Sequence, residues 1–237
     1  MQITSPDNEK LKTIKRLAQR RYREREGLFL SEGEDLLEAG REAGLTPVYA
    51  LVAPGSGLEG IECPEGLLSR VSSLGSGTRA IAVWETLPPS SIEAPCVYLH
   101  GVGDPGNVGT IVRTAAALTG GTVVLGPGSA DALSPRAVRA SMGAVFAAPP
   151  VRVESAEGLP SPRVALVAHG GGPPSDLAGA GTLCLGAERE GLPAEVTDLC
   201  EKLVTIPIQD GGAVESLNVG AAAAIALHSI ATGGHGA

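Results

Sequence analysis

The chain has 237 residues, enough for one large domain or two modest ones. Its composition is 43% hydrophobic, sufficient for a substantial core, although only 3% is aromatic, so Ala, Val, Leu and Gly must do most of the packing. A formal net charge of −8 excludes a protein that coats nucleic acid over its whole surface.

The charge is unevenly spread. Residues 1–26 hold eight Lys/Arg against four acids, a balance of +4 that leaves −12 for the remainder. A basic arm on an acidic body can steer a polyanion to one place, and it can equally be a solvated helix face. Cys63, Cys96, Cys184 and Cys200 show no CxxC spacing and read as buried free thiols. No signal-peptide pattern opens the chain, and the longest apolar run, Val219 to Leu227, is too short to span a bilayer. The expectation is a cytoplasmic, reduced protein with no membrane segment and no metal site.

From the amino terminus, Leu11, Ile14, Leu17 and Ala18 recur at helical spacing, with Ser5-Pro6-Asp7 as a start signal, and predict one amphipathic basic helix over residues 8–25. Lys10, Lys12, Lys15, Arg16, Arg20, Arg21 and Arg23 are its candidate polyanion-binding residues. Leu28 to Leu30 reads as a strand, Glu32 to Ala43 as a helix stopped by Gly44, and Val48–Val52 and Arg79–Trp84 as strands around a looser glycine-rich stretch, Pro54 to Gly77. This small α/β unit covers residues 1–85. Residues 86–95, rich in proline and serine, read as a semi-rigid linker.

Residues 96–237 alternate strand and helix: strands at Cys96–His100, Thr122–Leu125, near Val151, and at Val164–Ala168, Leu183–Leu185 and Val204–Ile206. Helices are predicted at Asn107–Thr119, from Ser134 to Met142, near Pro193–Leu199 and at Ser216–Ile230. Such alternation implies a mostly parallel sheet covered on both faces, with ligands at the carboxyl ends of its strands.

Gly101-Val-Gly-Asp-Pro-Gly106 lies between a strand and a helix and matches the G-x-G-x-x-G dinucleotide fingerprint. Two features oppose that reading. Pro105 lacks an N–H that phosphates would use, and the next strand, ending at Gly126-Pro127, lacks the acid that binds a ribose hydroxyl. Arg113 is the only charge between Asp104 and Asp131 and calls for either an internal salt bridge or a phosphate. Glu188 follows the strand that ends at Leu185-Gly186, where a solvated loop acid is the plainer reading. Ser216 and Asn218 open an alanine-rich helix and serve either as N-caps or as ligand contacts. The nine residues from Pro207 to Glu215 exceed the usual strand-to-helix connection of about two to six, which favours a ligand against the loop.

Together, Asp104-Pro-Gly-Asn107 with Arg113, Gly186-Ala-Glu188 with Gly191, and Ile206-Pro207 with Ser216-Leu-Asn218-Val, in this order, closely resemble the three motifs of the SpoU (TrmH-type) RNA 2′-O-methyltransferases of the SPOUT class. The resemblance covers residues 96–231, and Ser134 to Gly143 resembles the family too. The front domain, with Ile3 to Asn8 and Ser31-Glu-Gly33, more loosely resembles the family's substrate-binding domain.

The resemblance implies a trefoil-knotted methyltransferase domain behind a small α/β RNA-binding domain, S-adenosylmethionine as cofactor, and a homodimer with the site at its interface. It further implies that Leu185, Gly186, Ile206, Pro207, Ser216 and Leu217 contact the cofactor, and that Asn107, Arg113, Glu188, Ser216 and Asn218 form the catalytic set, Glu188 orienting Arg113 or Asn107. The substrate would be structured RNA, ribosomal RNA in preference to tRNA. Gln209 to Ala213 departs from the family by lengthening the third loop. Two other readings stand beside this one: a catalytically silent RNA-binding assembly protein on the same fold, and a dinucleotide-dependent enzyme using Gly101–Gly106.

Overall fold

The computed structural model describes residues 2–73, 77–209 and 216–233. In chain order the elements are α1 (Glu9–Leu17), α2 (Arg20–Glu26), β1 (Leu28–Glu32), α3 (Glu34–Glu42), β2 (Tyr49–Val52), β3 (Ile61–Glu62), α4 (Glu65–Val71) and β4 (Ala80–Glu85). They continue with β5 (Cys96–Leu99), α5 (Pro105–Leu118), β6 (Val123–Leu125), α6 (Pro135–Ala140), α7 (Ala144–Ala147), β7 (Val151–Arg152) and β8 (Arg163–Leu166). A 3-10 turn (Pro174–Leu177), β9 (Thr182–Leu185), α8 (Ala194–Thr197), β10 (Lys202–Val204) and α9 (Val219–Ala231) complete the chain. The chain divides into two units, Met1–Pro88 with Asp131–Ala147, and Pro89–Ala130 with Ala148–Ala237. Segment 131–147, read from sequence as part of the methyltransferase half, thus belongs to the first unit.

In the first unit a four-stranded sheet of order β1-β4-β2-β3 is covered on both faces. Successive side chains of a strand point to opposite faces, so β4 feeds two cores at once. Ile81 and Val83 join Leu11, Ile14, Leu17 and Leu68 on one side, while Ala80, Ala82 and Trp84 join Phe29, Leu36, Leu37, Val138, Val145 and Phe146 on the other. The Ser31-Glu-Gly33 stretch is structural here. Ser31 Oγ accepts from Trp84 Nε1 at 2.9 Å, and the buried Glu32 carboxylate accepts from Ser72 Oγ, Ser73 N and Ser73 Oγ.

The single basic helix expected over residues 8–25 is two helices. Asn8 caps the first through a bond from Lys10 N, and Gln19 is extended (φ −97°, ψ 131°), which separates α1 from α2. The carbonyls at a helix C-terminus lack intrahelical partners. Here Arg23 Nη1 donates to the Leu17 and Ala18 carbonyls at 2.7 and 3.0 Å, while its Nε and Nη2 donate to Asp131 Oδ2 at 3.0 and 2.5 Å. Its side chain is 5% exposed, so Arg23 is a structural clamp and is withdrawn from any RNA surface.

The second unit holds six strands of order β10-β8-β9-β5-β6-β7, all parallel. β9 lies between β8 and β5, both of which precede it in the chain. At the β8–β10 edge, Glu201 accepts from Arg163 N, Arg163 Nη2 and Ser161 Oγ. These bonds, led by the Arg163 main-chain N–H, hold its carboxyl at about 2. α5 begins at Pro105 with Asp104 as its N-cap, so the proline that spoils a phosphate loop is a favourable first helical residue. α9 starts at Val219, three residues later than the sequence pattern suggests, with Asn218 as its cap.

Replacing Arg23 with Ala leaves Asp131 without its partner and two carbonyls unbonded, and is expected to lower the unfolding free energy by about 3 kcal/mol in urea denaturation. Arg23→Lys should recover less than half, because one ammonium cannot reproduce a fork that serves a carboxylate and two carbonyls.

Candidate active site

In the second unit the carboxyl ends of β8, β9 and β10 and the start of α9 enclose a cavity of about 360 Å³. Leu166, Leu185, Ile206 and Leu217 give it apolar walls, and Glu188, Arg189, Glu190 and Ser216 bring polar groups to it. Its position, outside the carboxyl ends of neighbouring strands, is where parallel sheets bind ligands. Size and lining suit a small organic cofactor with an apolar ring system and a few polar groups.

Gly186 follows β9 directly. A side chain there would drive its Cβ into the main chain at Gly191 C and Leu192 N, far inside contact distance. The glycine is needed because the chain turns back on itself. Ala187 and Gly191 exchange main-chain hydrogen bonds at 3.2 and 2.9 Å, with Glu188, Arg189 and Glu190 at the tip of the turn. Gly191 takes φ +70°, the left-handed conformation that this reversal requires. Inside the sheet, Cys184 is fully buried, and the neighbouring Cys200 thiol together with burial pushes its thiol up, so it remains protonated and inert.

The turn brings Glu188 to two carboxamides. Asn107 Nδ2 donates to Glu188 Oε1 at 2.6 Å, and Asn218 Nδ2 donates to the same oxygen at 3.1 Å and to Asn107 Oδ1 at 3.2 Å. Asn218 also caps α9, its Oδ1 accepting from Gly220 N and Ala221 N at 2.9 and 3.3 Å. Asn107 is fixed in turn by its own N–H, which donates to Asp104 Oδ1 at 3.0 Å. One residue from each sequence motif therefore meets the others in a closed triangle. Asn218 is thus the N-cap of α9, and its side-chain nitrogen ties that helix start to Asn107 and Glu188.

The other candidates fall into place around it. Leu185, Gly186, Ile206, Ser216 and Leu217 line the cavity, whereas Pro207 is exposed and outside the lining. Arg113 is exposed and has no ion pair or hydrogen bond among the described residues, so neither an internal salt bridge nor Glu188 holds it. The Gln209–Ala213 loop, Asp210 included, lies outside the described residues from position 210 on. Among residues that the sequence does not single out, Ile208, Arg189 and Glu190 line the cavity. Asp104 stands out in the sequence only as part of a motif, yet its place three residues before Asn107 is the N-cap signal that could have assigned its role.

On the first unit's basic arm, Lys12 pairs with Glu9 and Arg20 with Glu24, both exposed pairs of little energetic weight. Lys10 Nζ sits 4.3 Å from the Tyr49 ring centroid. Lys15, Arg16 and Arg21 are exposed, without an ion pair among the described residues.

Residues 94–228 match the SpoU rRNA Methylase family, and residues 8–85 match the MRM3-like substrate binding domain. The 23S rRNA (guanosine(2553)-2′-O)-methyltransferase RlmP of Bacillus subtilis is 31% identical, over 97% of this chain and 98% of its own. Among solved structures, the SpoU methyltransferase AviRb of Streptomyces viridochromogenes in complex with AdoMet superposes with a TM-score of 0.81 at 25% identity, over 95% of this chain and 97% of its own. The AdoMet-bound rRNA methyltransferase of Sinorhizobium meliloti gives 0.81 at 27% identity, over 96% and 95%. With the motif residues joined at one cavity and both domains matched, the chain belongs to the SpoU rRNA methylase family and is an S-adenosylmethionine-dependent RNA 2′-O-methyltransferase with a substrate-binding domain in front.

Proposed function

We propose that this protein methylates a ribose 2′-hydroxyl of ribosomal RNA at the site built around Asn107, Glu188 and Asn218, a reading carried by the closed triangle of these side chains beside the cavity. Ribosomal RNA is favoured by the full-length relative, whose name assigns it to 23S rRNA. S-adenosylmethionine, bound against Leu185, Gly186, Ile206 and Leu217, supplies an electrophilic methyl group. The chain must then align a 2′-hydroxyl with that group and manage its proton, since a neutral ribose hydroxyl is a poor nucleophile.

Asn107, Glu188 and Asn218 hold the ends of two strand-to-loop connections and the start of α9 in one geometry. A guanidinium is a permanent cation, so the role of Arg113 is electrostatic: it stabilises the developing alkoxide or the adjacent phosphate, while phosphate or solvent takes the proton. Ser216, which lines the cavity, completes the polar set in this reading. Lys10, Lys12, Lys15, Arg16, Arg20 and Arg21 contact phosphates of structured RNA.

The working form in this reading is a homodimer. α9 packs along α5, and the pair leaves Leu118 and Ile225 exposed at 39% and 43%. A site completed at the interface gives the exposed, unpaired Arg113 something to act on. The trefoil knot belongs to this reading through the family resemblance, and the sheet order, with β9 between two strands already laid down, is compatible with it. No helix among the described residues is long and apolar enough to cross a membrane, and a cytoplasmic location fits a ribosomal substrate.

Purified protein given labelled cofactor and total rRNA should label one ribose, mapped by its resistance to alkaline cleavage. Cofactor binding with no transfer to any RNA would instead assign the protein a silent assembly role. Arg113→Lys should keep cofactor affinity and lose at least about tenfold in single-turnover rate, because a bidentate contact is lost. Asn218→Asp keeps the cap acceptor but sets a second carboxylate against Glu188. It should melt within a few degrees of the native protein and lose most methyl transfer, whereas Asn218→Ala also loses about 1 kcal/mol of stability with the cap. Sedimentation should give a dimer, and the Leu118→Glu/Ile225→Glu double variant a monomer.

A further inference from the structure

The basic arm contains one aromatic ring that the fold does not use. Of the three tyrosines, Tyr98 is fully buried with its hydroxyl 3.2 Å from His100 Nδ1, and Tyr49 donates to the Lys10 carbonyl at 3.0 Å. Phe29, Trp84 and Phe146 are buried in the core of the first unit. Tyr22 alone is different. It is half-buried on α2, its hydroxyl makes no hydrogen bond among the described residues, and its ring has guanidinium carbons of Arg21 and Arg25 at 4.9 and 4.6 Å from its centroid. Both arginines are exposed; apart from Tyr22, Arg25 is tied among the described residues only to the adjacent, solvent-facing Glu26. Arg23, between them, points inward to Asp131 and fixes the helix on which they stand.

We propose that Tyr22, flanked by Arg21 and Arg25, is a stacking platform for an unpaired nucleobase, and that the substrate domain therefore grips a loop or bulge of its RNA in preference to a continuous duplex. The inference rests on the reading of RNA as substrate. Phosphate contacts need only charge, which Lys15 and Arg16 already supply nearby. A ring adds a π-face, and that face has value only to a base that has left the stack, because side chains cannot reach the bases in the deep, narrow major groove of A-form RNA. A guanidinium plane stacks as a base does, so an incoming base can replace one arginine on the ring while the other arginine pairs with the flanking phosphate.

The test uses the full-length protein and two RNAs of equal nucleotide count, a 23S rRNA stem-loop and a fully paired duplex, without cofactor. Tyr22→Leu keeps an apolar cover over the arginine stems and removes the π-face. It should weaken stem-loop binding about tenfold, leave duplex binding unchanged, and leave the salt dependence of both unchanged. Tyr22→Trp should bind the stem-loop at least as tightly as the native protein. Lys15→Gln, a charge control, should weaken both RNAs and reduce the salt slope by about one. Equal losses on the two RNAs, or no loss with Tyr22→Leu, would overturn the platform, as would a Tyr22→Trp protein that melts normally yet binds the stem-loop poorly. If the native protein binds neither RNA, the substrate reading itself fails and the platform with it. If it binds both but shows no loop-specific effect of Tyr22, only the platform fails.

Discussion

One carboxylate oxygen holds the site together. Glu188 Oε1 accepts from carboxamides that lie 81 and 30 residues away in the chain, and the two carboxamides bond each other. For that to happen, the first turn of α5, the turn after β9 and the start of α9 must come within hydrogen-bond reach of one another. A one-residue slip in any of the pairings between β8, β9 and β5 would turn every side chain of a strand to the opposite face and pull Glu188 away. The parallel register therefore serves the chemistry directly. Charge-assisted hydrogen bonds of this type are stronger than neutral ones, and here they add geometric precision to loops that would otherwise be held only at their ends. The turn that carries Glu188 depends on Gly186 and Gly191, one for lack of space and one for its backbone angle.

Much of this is legible in the sequence. The alternation of strand and helix after residue 96 implies the sheet, and the three motifs name the residues that meet. Periodicity and local chemistry cannot supply the partners. Arg23 looks like its neighbours in the sequence, one basic residue among eight in an arm, and only the position of Asp131, 108 residues later, makes it a clamp. The break between α1 and α2 follows from the same arginine, since the carbonyls it satisfies are the ones a continuous helix would have bonded internally. Strand β3 and helix α4 escape a sequence reading because they are short and sit in a glycine-rich stretch where propensity argues for a loop. Gly186 suggests room for a ligand; the structure makes it room for the chain's own return. The exposed position of Arg113 cannot be derived from the apolar segment around it, because helix periodicity says which face a residue takes but not what that face meets.

An aromatic content of 3% has a structural counterpart. Phe29, Trp84 and Phe146 gather in one cluster, with ring centroids of Phe146 at 5.9 Å from Phe29 and 5.0 Å from Trp84. The second unit packs its parallel strands mainly with Val, Leu, Ala and Cys, and Tyr98 on β5 is the one aromatic ring in its sheet. Bulk is concentrated where two helical layers must be held against a small sheet, and small residues are used where strands and turns crowd around the cavity.

The first unit is discontinuous in sequence. Val138, Val145 and Phe146 fill the core face that Phe29 and Trp84 leave open, and Asp131 neutralises Arg23. During synthesis, then, the amino-terminal sheet cannot close its second face when residue 88 leaves the ribosome. It must wait, with Phe29 and Trp84 covered only in part by α3, until the chain has passed through β5, α5 and β6 and delivered residues 131–147. A fragment cut at the apparent domain boundary would carry that part-open face permanently, so the first unit is completed only once residue 147 has emerged, still ahead of the second unit, which needs β8 to α9.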